Sequence, residues 1–246
     1  MLAPVRLTQW QSPLLQPQLG GADVHIWRAA LDCPAATLAH YHSLLSADEH
    51  TRADRFKFAE HRQHFIVARG ILRTLLGRYL TIAPKQLQFV YGSRGKPALA
   101  HDTVQFNLAH SQSWALYAIR RDRPIGIDLE HLRPVSDLTA LAQRYFAARE
   151  YAALVALPVA QQPAAFLRYW TCKEAYLKAT GSGLAQLKGL EIALFPHQPA
   201  CLVSLPDGAA LSQWQLQELA PGDGLIGAIV TTSDPWQATH WQFTSS

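Results

Sequence analysis

Residues 125–130 read Ile-Gly-Ile-Asp-Leu-Glu, an apolar, β-branched stretch interrupted by two carboxylates two positions apart. A strand turns successive side chains to opposite faces, so Asp128 and Glu130 project together while Ile125, Ile127 and Leu129 line the other face. Two carboxylates held side by side attract a cation. Further along, Trp170, Glu174 and Lys178 fall at i, i+4 and i+8 of Trp-Thr-Cys-Lys-Glu-Ala-Tyr-Leu-Lys. An α-helix brings these onto one side, with a carboxylate and an ammonium one turn apart, so a third acid is available to the same site. Taken singly, the first signature also suits a solvated strand face and the second an ordinary surface pair worth a few tenths of a kcal/mol. A third element shifts the balance. In Phe106-Asn107-Leu108-Ala109-His110-Ser111 the alternating apolar residues Val104, Phe106 and Leu108 end in a polar, basic tip.

The order Gly95-Lys96-Pro97, Phe-Asn-x-x-His-Ser (106–111), Gly-Ile-Asp-x-Glu (126–130) and Trp-x-x-Lys-Glu-Ala-x-x-Lys (170–178) resembles the 4'-phosphopantetheinyl transferases of the Sfp type. Each motif is short, but four in this order are specific. The resemblance runs from about Ser46 to Val230 and leaves both ends of the chain outside it.

Hydrophobic residues make up 49% of the 246, ample for a packed core in one large or two small domains. Cys33, Cys172 and Cys201 lack metal-ligand or redox spacing and read as reduced thiols, which points to the cytoplasm. Met1–Arg6 carries no basic region followed by an apolar core, and no apolar run approaches the ~18 residues that span a bilayer. A soluble chain without membrane contact is expected. The formal charge of +4 suits anionic partners. Much of the positive charge falls in the first half, at Arg52, Arg55, Lys57, Arg62, Arg69, Arg73, Arg78, Lys85, Arg94 and Lys96.

Residues 46–80 read as helical, opened by the capping box Ser46/Glu49 and carried by Phe65, Ala68, Leu72, Leu75, Leu76 and Tyr79, with Arg62, Arg69 and Arg73 on another face. Strands are predicted at 87–91, 104–108, 114–119 and 125–129. Helices follow at about 136–146 and from Pro163 to about Ala179, then strands at 190–194, 201–205, 214–219 and 225–230, with Pro221-Gly222-Asp223-Gly224 as a hairpin turn. Runs of strands beside segregated helices argue for an α+β fold, organised as two similar halves, 1–122 and 123–246, joined at the Arg121–Pro124 turn. The family resemblance implies the same: two pseudo-symmetric α+β halves with the active site in the cleft between them. The N-terminal segment, with Trp10, Pro13, Pro17 and Gly20-Gly21, reads as partly extended and able to wrap across both halves.

The resemblance further implies transfer of the phosphopantetheine arm of coenzyme A to a serine of an apo acyl or peptidyl carrier protein of fatty acid, polyketide or nonribosomal peptide synthesis. Asp128, Glu130 and Glu174 match the family's catalytic, Mg²⁺-binding acids, and Mg²⁺ takes oxygen ligands of this kind. Glu174 is the preferred general base, with Glu130 the alternative. Coenzyme A contacts are implied at Arg52, Arg62, Lys96, Asn107, His110, Ser111 and Lys178. Lys173 is a second candidate cation for the leaving group, whereas Trp170 is expected in the core. Ala109 stands where the family usually has serine, which removes a hydroxyl contact and leaves Ser111 and Arg94 to compensate. The docking surface for the carrier is expected around Leu132 to Phe146. A monomer follows from two fused halves. The competing functions are a Mg²⁺-dependent phosphohydrolase and a basic nucleic-acid-binding module; no nucleic-acid fold motif supports the second.

Overall fold

The computed structural model describes residues 8–12, 16–100, 103–195 and 198–245. The expectations attached to Met1–Arg6 and Pro13 lie outside these residues. In chain order the elements are β1 (Asp23–Ala30), α1 (Ala35–Leu44), α2 (Ala47–Ala53), α3 (Ala59–Leu80), β2 (Phe89–Tyr91), β3 (Pro97–Leu99), β4 (Val104–Ser111), β5 (Trp114–Arg121) and β6 (Ile125–His131). There follow α4 (Leu138–Tyr145), α5 (Ala148–Val155), α6 (Gln162–Thr180), β7 (Glu191–Ala193), β8 (Cys201–Ser204), β9 (Trp214–Leu219), β10 (Leu225–Thr232) and β11 (Gln237–Gln242). The fold is α+β. Among the described residues no helix is long and apolar enough to cross a membrane.

Two sheets dominate, ordered β11-β1-β5-β4 and β6-β10-β9. Alternation along each strand decides which layer a side chain enters. On β1 and β5, Trp27, Ala29, Ala115, Tyr117 and Ile119 pack with Ile71, Leu72, Leu75 and Leu76 of α3. The intervening Val24, Ile26, Leu116 and Ala118 face the other way and meet Ile125, Ile127, Leu129 and Ile229 of the second sheet. On the far side of that sheet, Ala228 and Val230 pack with Phe166, Tyr169, Ala175 and Tyr176 of α6. The layers are therefore helix, sheet, sheet, helix, with one long helix on each outer face. Fully buried Arg120 crosses between the sheets, donating to Thr231 Oγ1 at 2.7 Å and Asp234 Oδ2 at 2.5 Å.

Most predicted elements are present, and the differences have physical causes. The segment read as one helix over 46–80 is two, α2 and α3, parted at residues 54–58. On one straight helix Glu49 and Arg69 would stand about 30 Å apart. Folding back lets the buried Glu49 carboxylate accept from Arg69 Nε at 2.7 Å and Arg73 Nε at 2.6 Å while it still caps Ser46 N at 3.0 Å. Arg69 and Arg73 are thus buried ion-pair partners and not a solvated basic face. The second half repeats the device at a site no sequence pattern announced. Glu150, three residues after Ala147 at the start of α5, accepts from Ala147 N at 2.7 Å and from Ile192 N at 2.7 Å, and pairs with Lys173 of α6 at 2.8 Å.

The largest omissions from the sequence reading are β1, α1, α5 and β11. β1 lies inside the first sheet, paired antiparallel with β5 and parallel with β11. The N-terminal segment is extended, as expected: Gln11 bridges to Trp241, and Trp10 Nε1 donates to Pro221 O at 3.0 Å.

Breaking a buried ion pair from one side leaves charge without a partner, a cost of about 3–5 kcal/mol. Glu49→Ala should lower the unfolding free energy by about that much, because it strands two buried guanidiniums, and urea denaturation would measure it.

Candidate functional site

The acidic strand and the long helix meet because residue 126 has no side chain. A Cβ at Gly126 would lie 2.1 Å from Ala175 O and 2.3 Å from Ala179 N, so any other residue would push α6 off β6. With the helix seated, the Lys178 ammonium reaches Asp128 Oδ1 at 2.7 Å. Ile125, Ile127 and Leu129 point into the inter-sheet core, which turns Asp128 and Glu130 toward α6 as their spacing predicts.

Asp128 is buried, and its Oδ2 has no hydrogen-bond partner. Burial raises its pKa against the pull of Lys178. Glu130 is half-buried, accepts from Ser111 Oγ at 3.3 Å, and lies 3.8 Å from Arg133. Burial and then the Asp128 charge hold its carboxyl above the ordinary range. Glu174 is half-buried, and among the described residues it has neither hydrogen-bond nor ion-pair partner. Its pKa is raised by burial, then by Asp128 and Glu130. The three acids therefore feel one another's charge. Among the described residues, however, no group of three His, Cys, Asp or Glu side chains is drawn together closely enough to hold a metal ion. Lys178, Ser111 and Arg133 are the present partners of Asp128 and Glu130.

Beside this acidic face a cavity of about 370 Å³ opens between the two sheet-and-helix units. Its walls include Arg52, Arg69, Arg94, Lys96, His110 and Lys178 and, among the described residues, no carboxylate. Arg69 is committed to Glu49, whereas Arg52 rests its guanidinium over the Phe65 ring at 5.6 Å and Arg94 lies against Gly183. Lys96 reaches across the cleft, donating to Ile125 O at 3.2 Å and to Lys178 O. Burial and the nearby Lys178 ammonium bring its pKa down to about 8. His110 sits at the rim, and loss of water in the cleft, followed by the charge of Lys178, lowers its pKa. Such a surface receives a multiply charged anion, with the acids at the end marked by Lys178.

Of the residues singled out in the sequence, Arg52, Lys96, Asn107, His110 and Lys178 line this cavity. Ser111 lies beside Glu130, one residue beyond the cavity wall. Arg62 is elsewhere. It pairs with Asp54 at 2.6 Å and borders a separate groove with His42, Phe56 and Lys57. Lys173 does not face the cleft either: it is fully buried, bonded to Leu187 O, Leu190 O and Glu150. Trp170 packs against Phe166 and Tyr145 in the helical core, as expected. Unforeseen in the sequence was the lip formed by Gly181 and Ser182. The Gly-Ser-Gly run after α6 was its only signal, and that run reads equally well as a helix stop.

Comparison with known proteins assigns the family. The chain is 49% identical over 225 residues to the 4'-phosphopantetheinyl transferase HetI of Nostoc sp., covering 90% of this chain and 92% of that one. This chain belongs to the 4'-phosphopantetheinyl transferase superfamily. The family profile described as 4'-phosphopantetheinyl transferase, N-terminal, matches residues 32–121, and that of the superfamily matches 124–232. The 4'-phosphopantetheinyl transferase Sfp of Bacillus subtilis is 28% identical over 183 residues, 73% of this chain and 80% of that relative.

Overpacking at a close contact costs about 1–3 kcal/mol, and a misplacement near 1 Å at reacting groups costs about 100-fold in rate. Gly126→Ala should therefore lower stability by about 1–3 kcal/mol and reduce transferase turnover of the folded protein about 100-fold, measured by urea denaturation and a carrier-modification assay.

Proposed function

We propose that this chain transfers the 4'-phosphopantetheine group of coenzyme A to a serine hydroxyl of an apo acyl or peptidyl carrier protein, releasing adenosine 3',5'-bisphosphate. Beyond family membership, one observation carries the reading: a cleft walled by cations and, among the described residues, by no carboxylate ends at Lys178, which is bonded to Asp128, the acid whose charge Glu130 and Glu174 feel. Arg52, Lys96, His110 and Lys178 bind the phosphates of coenzyme A, and Arg94 adds charge where Ala109 offers no hydroxyl.

Mg²⁺ fits the acidic end, because Asp128 with its buried, unpartnered Oδ2, Glu130 and Glu174 supply only hard oxygen donors. Bound by these three, it would stabilise the charge on the oxygens of the attacked phosphorus. Glu174 accepts the serine proton. Among the described residues its side chain has no hydrogen-bond or ion-pair partner, so a carboxylate oxygen is open to the incoming hydroxyl. Lys178, tied to Asp128, presents its remaining ammonium hydrogens to the departing phosphate. The chain divides near residues 122 and 123 into a coenzyme A unit and an acidic, carrier-docking unit, except that β11 returns to the sheet of the first. Both walls of the cleft come from one chain, which suits a monomer. Its three free thiols suit the reducing cytoplasm, and its +4 charge suits acidic carriers.

Incubation with an apo carrier protein, coenzyme A and Mg²⁺ should raise the carrier's mass by one phosphopantetheine group. Asp128→Ala and Glu174→Ala should each abolish that gain while circular dichroism stays as in the parent. An unmodified carrier across several acyl and peptidyl types would refute the transferase reading.

Lys96 supplies a pH test. With a pKa of about 8 it carries its charge below that pH and loses it above. Coenzyme A affinity, followed by isothermal titration, should weaken about ten-fold between about pH 7 and pH 9.5, and Lys96→Met should flatten this step.

A further inference from the structure

β4 and β6 are the facing edges of the two sheets, yet among the described residues no backbone ladder joins them. Pairing with β10 occupies only one edge of β6. The other edge is buried against the first sheet, and each backbone group left unsatisfied there would cost about 1–3 kcal/mol. Side chains take the place of the ladder. Asn107 Oδ1 accepts from Ile127 N at 2.9 Å, and Ser111 Oγ accepts from His131 N at 3.1 Å. Both pairs are 20 residues apart in sequence, so β4 and β6 run side by side in the same direction, stitched at every fourth residue. Lys96 adds a third stitch at Ile125 O.

The positions of these bonds matter as much as their number. The anchored backbone groups belong to residues 125, 127 and 131, which flank the acids at 128 and 130 on both sides. Ser111 serves twice, accepting from His131 N and donating its hydroxyl hydrogen to Glu130 Oε2. Asn107 is buried with its carbonyl oxygen committed to the strand.

We propose that Asn107 and Ser111 are positioning residues, a side-chain seam that replaces the missing β4–β6 ladder and fixes the acidic strand beneath α6. They act on the reaction through Asp128 and Glu130 and not by holding coenzyme A. The kinetic half of this inference rests on the transferase reading above; the structural half does not.

Ser111→Ala and Asn107→Leu remove one stitch each, whereas Ser111→Thr keeps an oxygen that can make both of the serine's bonds. The two disruptive variants should lower kcat about 10- to 100-fold with KM for coenzyme A within about two-fold of the parent, and Ser111→Thr should restore kcat. Hydrogen exchange, read by NMR without substrate, should speed up about two- to ten-fold at His131 in Ser111→Ala and at Ile127 in Asn107→Leu, with β1 and β5 amides unchanged. Raised KM with unaltered kcat would make both residues ligand contacts and overturn the proposal, as would unchanged exchange at the two amides. If Asn107→Leu does not fold, the Ser111 pair decides. A parent chain that modifies no carrier would count against the transferase reading alone, leaving the exchange comparison to judge the seam.

Discussion

The approach of α6 to β6 is the contact on which the site depends. It requires a strand position without a Cβ, and Gly126 provides it where the helix backbone comes within bonding range of any side-chain carbon. Once the two backbones touch, much of the site's geometry follows from the periods of strand and helix. Positions 128 and 130 share the face of Gly126, and positions 174 and 178 lie one turn apart on the helix above them. The Lys178–Asp128 bond is a consequence of that seating. So is the burial of the three carboxylates near one another, which raises the pKa at all three acids, at Glu130 and Glu174 with a further push from the Asp128 charge.

The two halves hold their long helices by the same means. In each, an acid at the third position of a short helix is buried, closes that helix's first turn, and pairs with a cation on the long helix that follows. The acid is Glu49 in one half and Glu150 in the other, and the cations are Arg69 and Arg73 against Lys173. Buried pairs of this kind contribute little net stability over an apolar contact, but removing one member is costly. They fix each short helix against its long one, and so hold α2, which carries Arg52, against α3.

The acidic face of β6, the helix bearing Glu174 and Lys178, and the strand leading to His110 were legible because each rests on a local period. So was the core position of Trp170. What was not legible depended on partners distant in sequence. Ser46 and Glu49 announced a helix start, but the partners of Glu49 lie on a different helix, so the break at residues 54–58 had no local signal. Arg69 and Arg73 read only as part of a basic helix face, because the acid they share lies on a separate helix. Lys173 and Lys178 are alike in sequence, and only the packing of α6 sends one into the core and the other into the cleft. β1 and β11 escaped because β1 is enclosed by neighbours on both edges and carries little polar alternation, while its parallel partner comes more than 200 residues later.

That late partner governs how the molecule can be assembled. β11 completes the sheet that β1 begins, and Gln11 in turn crosses to Trp241. During synthesis one flank of β1 stays bare until β11 emerges. Its pairing groups are open to a wrong neighbour while the more than 200 residues between the two strands are made. The two helix-and-sheet units thus resemble domains in outline but are laced together, because β11 returns to the first sheet after the strands of the second.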